Sequence, residues 1–174
     1  MQTHAPIRLG VSACLLGHKV RYDGGHKLAP LVRDILGPLA EFVAVCPEAE
    51  AGLGLPREVM RLTGDPSAPR LITLTTRKDL TEVLQAWASS RVEALAAENL
   101  SGFILKSRSP SCGLARVPVH AEAGGEPSLT GIGLFARALL DRFPGLPVEE
   151  EGRLGDLGLR EEFIARVLAY ARRG

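Results

Sequence analysis

Short apolar runs alternate with amphipathic stretches along this chain, and that alternation sets the order of its elements. Ile7–Ala13 (IRLGVSA) is apolar and bounded by turn-forming residues, as expected of a strand covered on both faces. Leu28, Leu31, Val32, Ile35 and Leu36 then recur at helical spacing up to Gly37 and Pro38, which predicts a helix of about a dozen residues. Glu41–Val45 (EFVAV) predicts a second buried strand, so the first two strands form a parallel pair with a right-handed crossover. Pro47–Pro69 is rich in Gly, Pro and charge and reads as a long irregular loop, a kind that usually carries function. Leu71–Thr76 (LITLTT) predicts a strand. Leu80–Asn99 predicts a helix opened by Asp79 and Glu82 as a capping box, with Leu80, Val83, Leu84, Trp87, Ala88 and Leu95 inward. Trp87, a lone aromatic on that stripe, reads as core. Gly102–Leu105 (GFIL) predicts a third buried strand, followed by the loop Lys106–Arg116. Gly131–Phe143 predicts a helix closed by Pro144 and Gly145, Leu146–Val148 a last strand, and Leu159–Arg172 an amphipathic closing helix with Leu159, Phe163, Val167 and Tyr170 or Ala171 inward. Strands and helices alternate without repeat or linker, so the expectation is one α/β domain over residues 1–174, three-layered and Rossmann-like, with a mainly parallel sheet.

Composition narrows the function classes. The chain has 174 residues, 45% of them hydrophobic and 24% charged, as in an ordinary soluble globular protein. Its 21 basic and 20 acidic side chains leave a net charge of +1, which gives no bias towards large nucleic acids or a membrane surface. No apolar stretch is long enough to span a bilayer, and Met1–Pro6 lacks the pattern of a secretory signal, so a cytoplasmic location is expected. Three cysteines, an odd number at wide spacing, argue against a disulfide framework and leave free thiols.

Those thiols are the candidate chemistry. Cys14 and Cys46 directly follow predicted central strands, and Cys112 lies in the loop after GFIL, so all three belong to the carboxyl edge of a parallel sheet, where ligand sites form. Convergent thiolates suit a soft metal, although a buried cysteine taken singly is more often a small hydrophobe. Each has polar neighbours: Ser12, Arg21 and Asp23 for the first, Glu48 for the second, Lys106, Ser107, Arg108, Ser109 and Ser111 for the third. A zinc site would need a further ligand, for which His18 or His26 is available, or an open position. A 4Fe-4S cluster on three thiolates would leave one iron open to substrate. A metal-free thiol enzyme with Cys112 or Cys14 as nucleophile is a further alternative.

Three segments carry a resemblance. VSACLLGHKVRYDGG (Val11–Gly25), VCPEAEAGLGLPRE (Val45–Glu58) and ILKSRSPSCG (Ile104–Gly113), supported by LPVEEEGRL (Leu146–Leu154) and the closing helix, resemble the TudS-type thiouracil desulfurase family over essentially the whole chain. The resemblance implies a 4Fe-4S cluster on Cys14, Cys46 and Cys112 at the carboxyl ends of the central strands. It also implies non-redox replacement of the sulfur of a thiolated nucleobase by oxygen, with release of sulfide. The substrate it implies is a small molecule, and its CPE glutamate is Glu48, which two residues beyond a ligand is placed beside the open iron to take a proton from water, or else is a solvated or capping carboxylate at the loop mouth. In the KSRSPSC motif Ser109 is the favoured substrate or proton-transfer contact, with Ser107 as the other candidate. Arg21, Asp23 and Lys106 are candidates for orienting the heterocycle, or else order the loops through salt bridges. A non-catalytic zinc or iron module on the same three cysteines is the alternative reading.

Overall fold

The structure is a computed structural model that describes residues 6–173. Met1–Ala5, which include His4 and most of the segment read for an export signal, lie outside the described residues, as does Gly174. Among the described residues there are eight strands and four α-helices: β1 (Arg8–Ser12), β2 (Glu41–Val45), α1 (Pro47–Glu50), β3 (Met60–Thr63), β4 (Arg70–Thr73), α2 (Thr81–Ala96), β5 (Gly102–Leu105), β6 (Val117–His120), β7 (Ser128–Gly131), α3 (Leu134–Arg142), β8 (Val148–Glu150) and α4 (Leu157–Ala171).

The main sheet has the order β2-β1-β5-β8, with every pair parallel. This is the mainly parallel, Rossmann-like α/β arrangement expected from the alternation of elements. The chain leaves β1 towards β2 and returns to β5 on the other side of β1, so β1 and β5 flank a topological switch point, the place where such sheets open a crevice at their carboxyl edge. β5 is buried throughout and β1 nearly so. Gly10 pairs with Phe103, and a side chain at Gly10 would collide with the Phe103 ring, so the glycine lets that ring lie across β1.

Helices cover both faces. On one, Phe103 and Leu105 pack with Ala88, Val92 and Leu95 of α2 and Phe135 and Leu139 of α3. Trp87 joins that core, with its ring centroid 5.4 Å from that of Phe135. On the other face Leu9, Val11 and Ile104 meet Val32, Leu36 and the α4 residues Phe163 and Val167.

Several elements depart from their sequence pattern for identifiable reasons. The segment after β1 forms only a π-helical turn at Val32–Leu36 and a 3-10 turn at Gly37–Leu39, because Pro30 and Pro38 bracket it. β2 is an edge strand, so Phe42–Ala44 are half-buried rather than enclosed. In α2, Val83 is 47% exposed and Val92 faces the core instead. Its capping box is not formed: Asp79 Oδ1 takes Thr81 N–H at 3.0 Å, and Arg70 pairs with the other oxygen. α3 begins only at Leu134 because Ser128–Gly131 is β7. The last strand is shifted to Val148–Glu150.

The largest correction is a second sheet, of order β4-β3-β6-β7. Part of Pro47–Pro69 therefore is not loop: Met60–Thr63 pairs antiparallel with β4 and parallel with β6. Four-residue strands with Arg61 or Pro118 inside give almost no alternation to read, and Pro118 is tolerated at the register shift between Val117 and Val119. Among the described residues no helix is long and apolar enough to cross a membrane.

Candidate functional site

Cys14 lies in the first turn after β1, Cys46 follows β2 directly, and Cys112 lies in the loop after β5. All three are free thiols, and all three line one cavity of about 280 Å³ at the carboxyl edge of the main sheet. Cys14 and Cys46 are half-buried and Cys112 is buried. Burial raises each thiol above its ordinary range. For Cys46 burial and then the nearby Glu48 carboxylate push it up to about 11. Cys112 is raised by burial, by Glu48 and by the other two thiols, against a hydrogen bond with Ser12. Cys14 is raised by burial, partly offset by Arg21 and Lys106. The three sulfurs thus sense one another and one carboxylate across a shared space.

The Cys112 loop is held with unusual completeness. Ser109 Oγ accepts the N–H of Ser111 at 3.2 Å and of Cys112 at 3.0 Å, fixing the turn that presents the thiol. The carbonyls of Pro110 and Ser111 accept the N–H groups of Leu134, Phe135 and Ala136, so the loop caps the start of α3, whose first donors have no partner inside the helix. Gly133 makes this docking possible, because a Cβ there would stand 2.7 Å from Cys112 N, with the Ser111 backbone closer still. At the other end Glu151, just beyond β8, receives Ser107 N–H at 2.7 Å, Ser107 Oγ–H at 2.9 Å and Lys106 Nζ at 2.8 Å. Lys106 Nζ also donates to Ser107 O, and its backbone N–H to Ser12 Oγ.

Glu48 sits in α1, the single turn after Cys46. Its Oε1 accepts the hydroxyl of the fully buried Ser111 at 2.6 Å. Its Oε2 lies 3.8 Å from Cys46 Sγ and 4.0 Å from Arg57 Nη2. The turn is tied down by Glu50, which accepts Cys46 N–H at 2.8 Å and pairs with Arg91 of α2 at 3.0 Å.

Of the residues singled out in the sequence, Cys14, Cys46, Cys112, Glu48, Arg21, Lys106, Ser107 and Ser109 all line the cavity. Asp23 does not: it is exposed and its Oδ1 accepts Gly25 N–H at 2.8 Å, which orders its own turn. His18 and His26 are exposed and stand outside the lining, with His26 Nδ1 accepting Leu28 N–H at 3.1 Å. Sequence reasoning gave no role to Arg57, Glu58 and Met60 of the cavity wall, nor to Glu151. The glutamate run after the last strand was a signal for Glu151, and LPRE, ending one quoted segment, was the signal for Arg57.

Comparison with known proteins agrees with this geometry. The chain is 32% identical over 152 residues to the uncharacterized protein YbbK of Bacillus subtilis (strain 168), covering 84% of this chain and 97% of that one. The solved structure of the 4Fe-4S-dependent thiouracil desulfidase TudS superposes with a TM-score of 0.69 at 32% identity, covering 90% of this chain and 98% of that one. Residues 9–151, which run from β1 to the glutamate that holds the Cys112 loop, match the 2-thiouracil desulfurase family, and the chain belongs to that family.

Proposed function

We propose that the protein is a 4Fe-4S-dependent desulfurase that replaces the sulfur of a thiolated nucleobase, such as 2-thiouracil, by the oxygen of water without net redox change, releasing sulfide. The observation that carries this reading is the meeting of three free thiols and a hydrogen-bonded carboxylate in one cavity at the switch point of the sheet. The donor set fits the cluster: Cys14, Cys46 and Cys112 would hold it. Soft thiolates suit iron–sulfur ligation, and all three line one cavity. When bound with three protein ligands, such a cluster supplies an open, Lewis-acidic iron that polarises a carbon–sulfur bond.

The side chains divide the remaining work. Glu48 Oε1 is occupied by Ser111, which leaves Oε2, on the Cys46 side, to accept the proton of the attacking water. Ser109 Oγ uses its acceptor capacity on two backbone N–H groups, and its hydroxyl proton remains available to donate to a ring atom of the substrate. Ser107 directs its proton to Glu151 and is a supporting group. Lys106 has all its ammonium donors engaged by Glu151 and Ser107 and so acts as a fixed positive charge, while Arg21 and Tyr22 face the heterocycle. Free thiols support a reducing, cytoplasmic location for a single-domain enzyme.

The test is anaerobic reconstitution with iron and sulfide, an iron count, a visible spectrum and an assay of sulfide release from 2-thiouracil. About four irons per chain together with release is the expected result. Four irons without release moves the substrate elsewhere, and no iron on fully reduced thiols rejects the cluster.

A further inference from the structure

Arg57 belongs to none of the groups given a task above, yet it is among the most enclosed charges in the molecule. Its side chain is 8% exposed, and its Nε–H is buried without a partner. An interior cation that keeps an unsatisfied donor opposes folding unless its placement serves something else. Its remaining bonds show what that placement does. Nη2 donates to Val20 O at 2.8 Å, Nη1 donates to Gly54 O at 3.1 Å, and the Arg57 backbone N–H donates to Tyr22 O at 2.9 Å.

Among the described residues, Val20–Gly25 is otherwise held only by bonds within its own loop: Val20 N to His18 O, Arg21 N to Gly25 O, Gly24 N to Arg21 O and Gly25 N to Asp23 Oδ1. The one further hydrogen bond among them that leaves the segment is the contact of Cys46 Sγ with Val20 O, long at 3.8 Å. Arg57 therefore supplies both short anchors between this segment and the rest of the protein. The same segment puts Val20, Arg21 and Tyr22 into the cavity wall, and the same guanidinium faces Glu48 Oε2 at 4.0 Å.

We infer that Arg57 is a positioning residue that clamps the Val20–Tyr22 wall over the Cys46 side of the cavity and so sets how tightly the site holds its substrate. The task requires a guanidinium. Two fixed, divergent donors reach Val20 O and Gly54 O together, whereas an ammonium on a flexible stem cannot span both carbonyls in that geometry. The kinetic part of this inference rests on the desulfurase reading; the clamp itself does not.

The experiment compares wild type, Arg57→Met and Arg57→Lys after anaerobic reconstitution, by amide hydrogen exchange over residues 18–25 and by KM and kcat for 2-thiouracil. In Arg57→Met, exchange across Val20–Gly25 should speed up by about tenfold or more while β1 and β5 stay protected. KM should rise by about tenfold with kcat changed far less, and Arg57→Lys should recover little of the KM. Unchanged exchange over Val20–Gly25 in Arg57→Met overturns the clamp, whatever the kinetics. If Arg57→Met does not fold, wild-type exchange and KM in Arg57→Lys overturn it instead. If wild-type protein releases no sulfide, the desulfurase reading fails and the exchange data still decide the clamp.

Discussion

Replacing Glu48 by Gln keeps the length of the side chain and an oxygen for the Ser111 hydroxyl, now 2.6 Å away, but removes a negative charge and a proton acceptor. Two observables should then move in opposite directions. Turnover should fall by about 10²–10⁴, the usual worth of a positioned general base, equivalent to about 3–5 kcal/mol on the barrier. Iron loading should become easier. Thiolates are the ligating form; burial first and the Glu48 carboxylate second push Cys46 up to about 11, and the same carboxylate contributes to raising Cys112 and Cys14. With that carboxylate gone the thiols ionise at lower pH. Reconstitution yield plotted against pH, which in wild type should climb as the solution approaches the thiol range, should shift to lower pH in the variant. The assay pairs an iron and sulfide count at each pH with sulfide release from 2-thiouracil at fixed cluster content. Per-cluster turnover equal to wild type would refute Glu48 as the base. A loading curve displaced to higher pH would refute the electrostatic argument.

Other substitutions separate the neighbouring roles. Ser109→Ala removes the acceptor of two backbone N–H groups in a buried turn, at about 1–3 kcal/mol each, as well as a hydroxyl proton free to meet the substrate, so both melting temperature and turnover should drop; Ser107→Ala, which leaves Ser107 N–H on Glu151, should change turnover only a few-fold. Gly133→Ala forces a methyl group against the Ser111–Cys112 backbone and should cost about 1–3 kcal/mol in urea denaturation together with iron retention, whereas an intact iron count would show that the loop can yield. In Glu151 burial works to raise the carboxyl, but hydrogen bonds from Lys106 and Ser107 prevail and hold it below 4.5. Its contribution to stability is therefore present above about pH 4.5 and lost as pH falls through the lowered value. The gap in urea midpoint between wild type and Glu151→Gln should close as pH falls from 7 towards 3, and a constant gap would contradict this.

The parts of the molecule legible in the sequence are those where one physical signal dominated. β1, β2 and β5 are short apolar runs ended by turn residues, and their parallel pairing follows from the elements between them. Because the cysteines follow those strands, their shared edge followed as well. The second sheet was hidden because strands such as MRLT and VPVH are too short and too polar to show a period, and are stabilised by pairing that exists only after collapse. β8 was misplaced for a related reason: Glu149 and Glu150 are buried, and two consecutive glutamates look like surface. The inward face of Glu149 is made possible by Arg153, 2.9 Å away, a partner no periodicity reveals. Proximity of Asp23 to Cys14 in sequence says nothing of direction: its carboxylate turns back on its own loop and stands outside the cavity lining, as in the loop-ordering alternative.

The two sheets hold different walls of the same cavity, and this bears on what can vary in it. Every cysteine and the anchors of the Cys112 loop depend on the main sheet and its helices: β1 and β2 lead into Cys14 and Cys46, β5 into the Cys112 loop, β8 delivers Glu151, and α3 receives the loop carbonyls. The opposite wall, Arg57–Met60, leads into β3 of the second sheet, and Glu58 ties it to the turn after β4 by accepting the N–H groups of Thr75 and Thr76 at 3.0 and 2.8 Å. Substitutions in β3, β4 or their connecting turn should therefore shift KM and substrate preference while leaving iron content unchanged, and substitutions under the Cys112 loop should do the reverse. Replacing Thr76 by Val, which removes the hydroxyl that donates to Glu58 Oε2 without touching the main sheet, distinguishes this division from a single rigid site: iron lost in step with affinity would show that the walls are not separable.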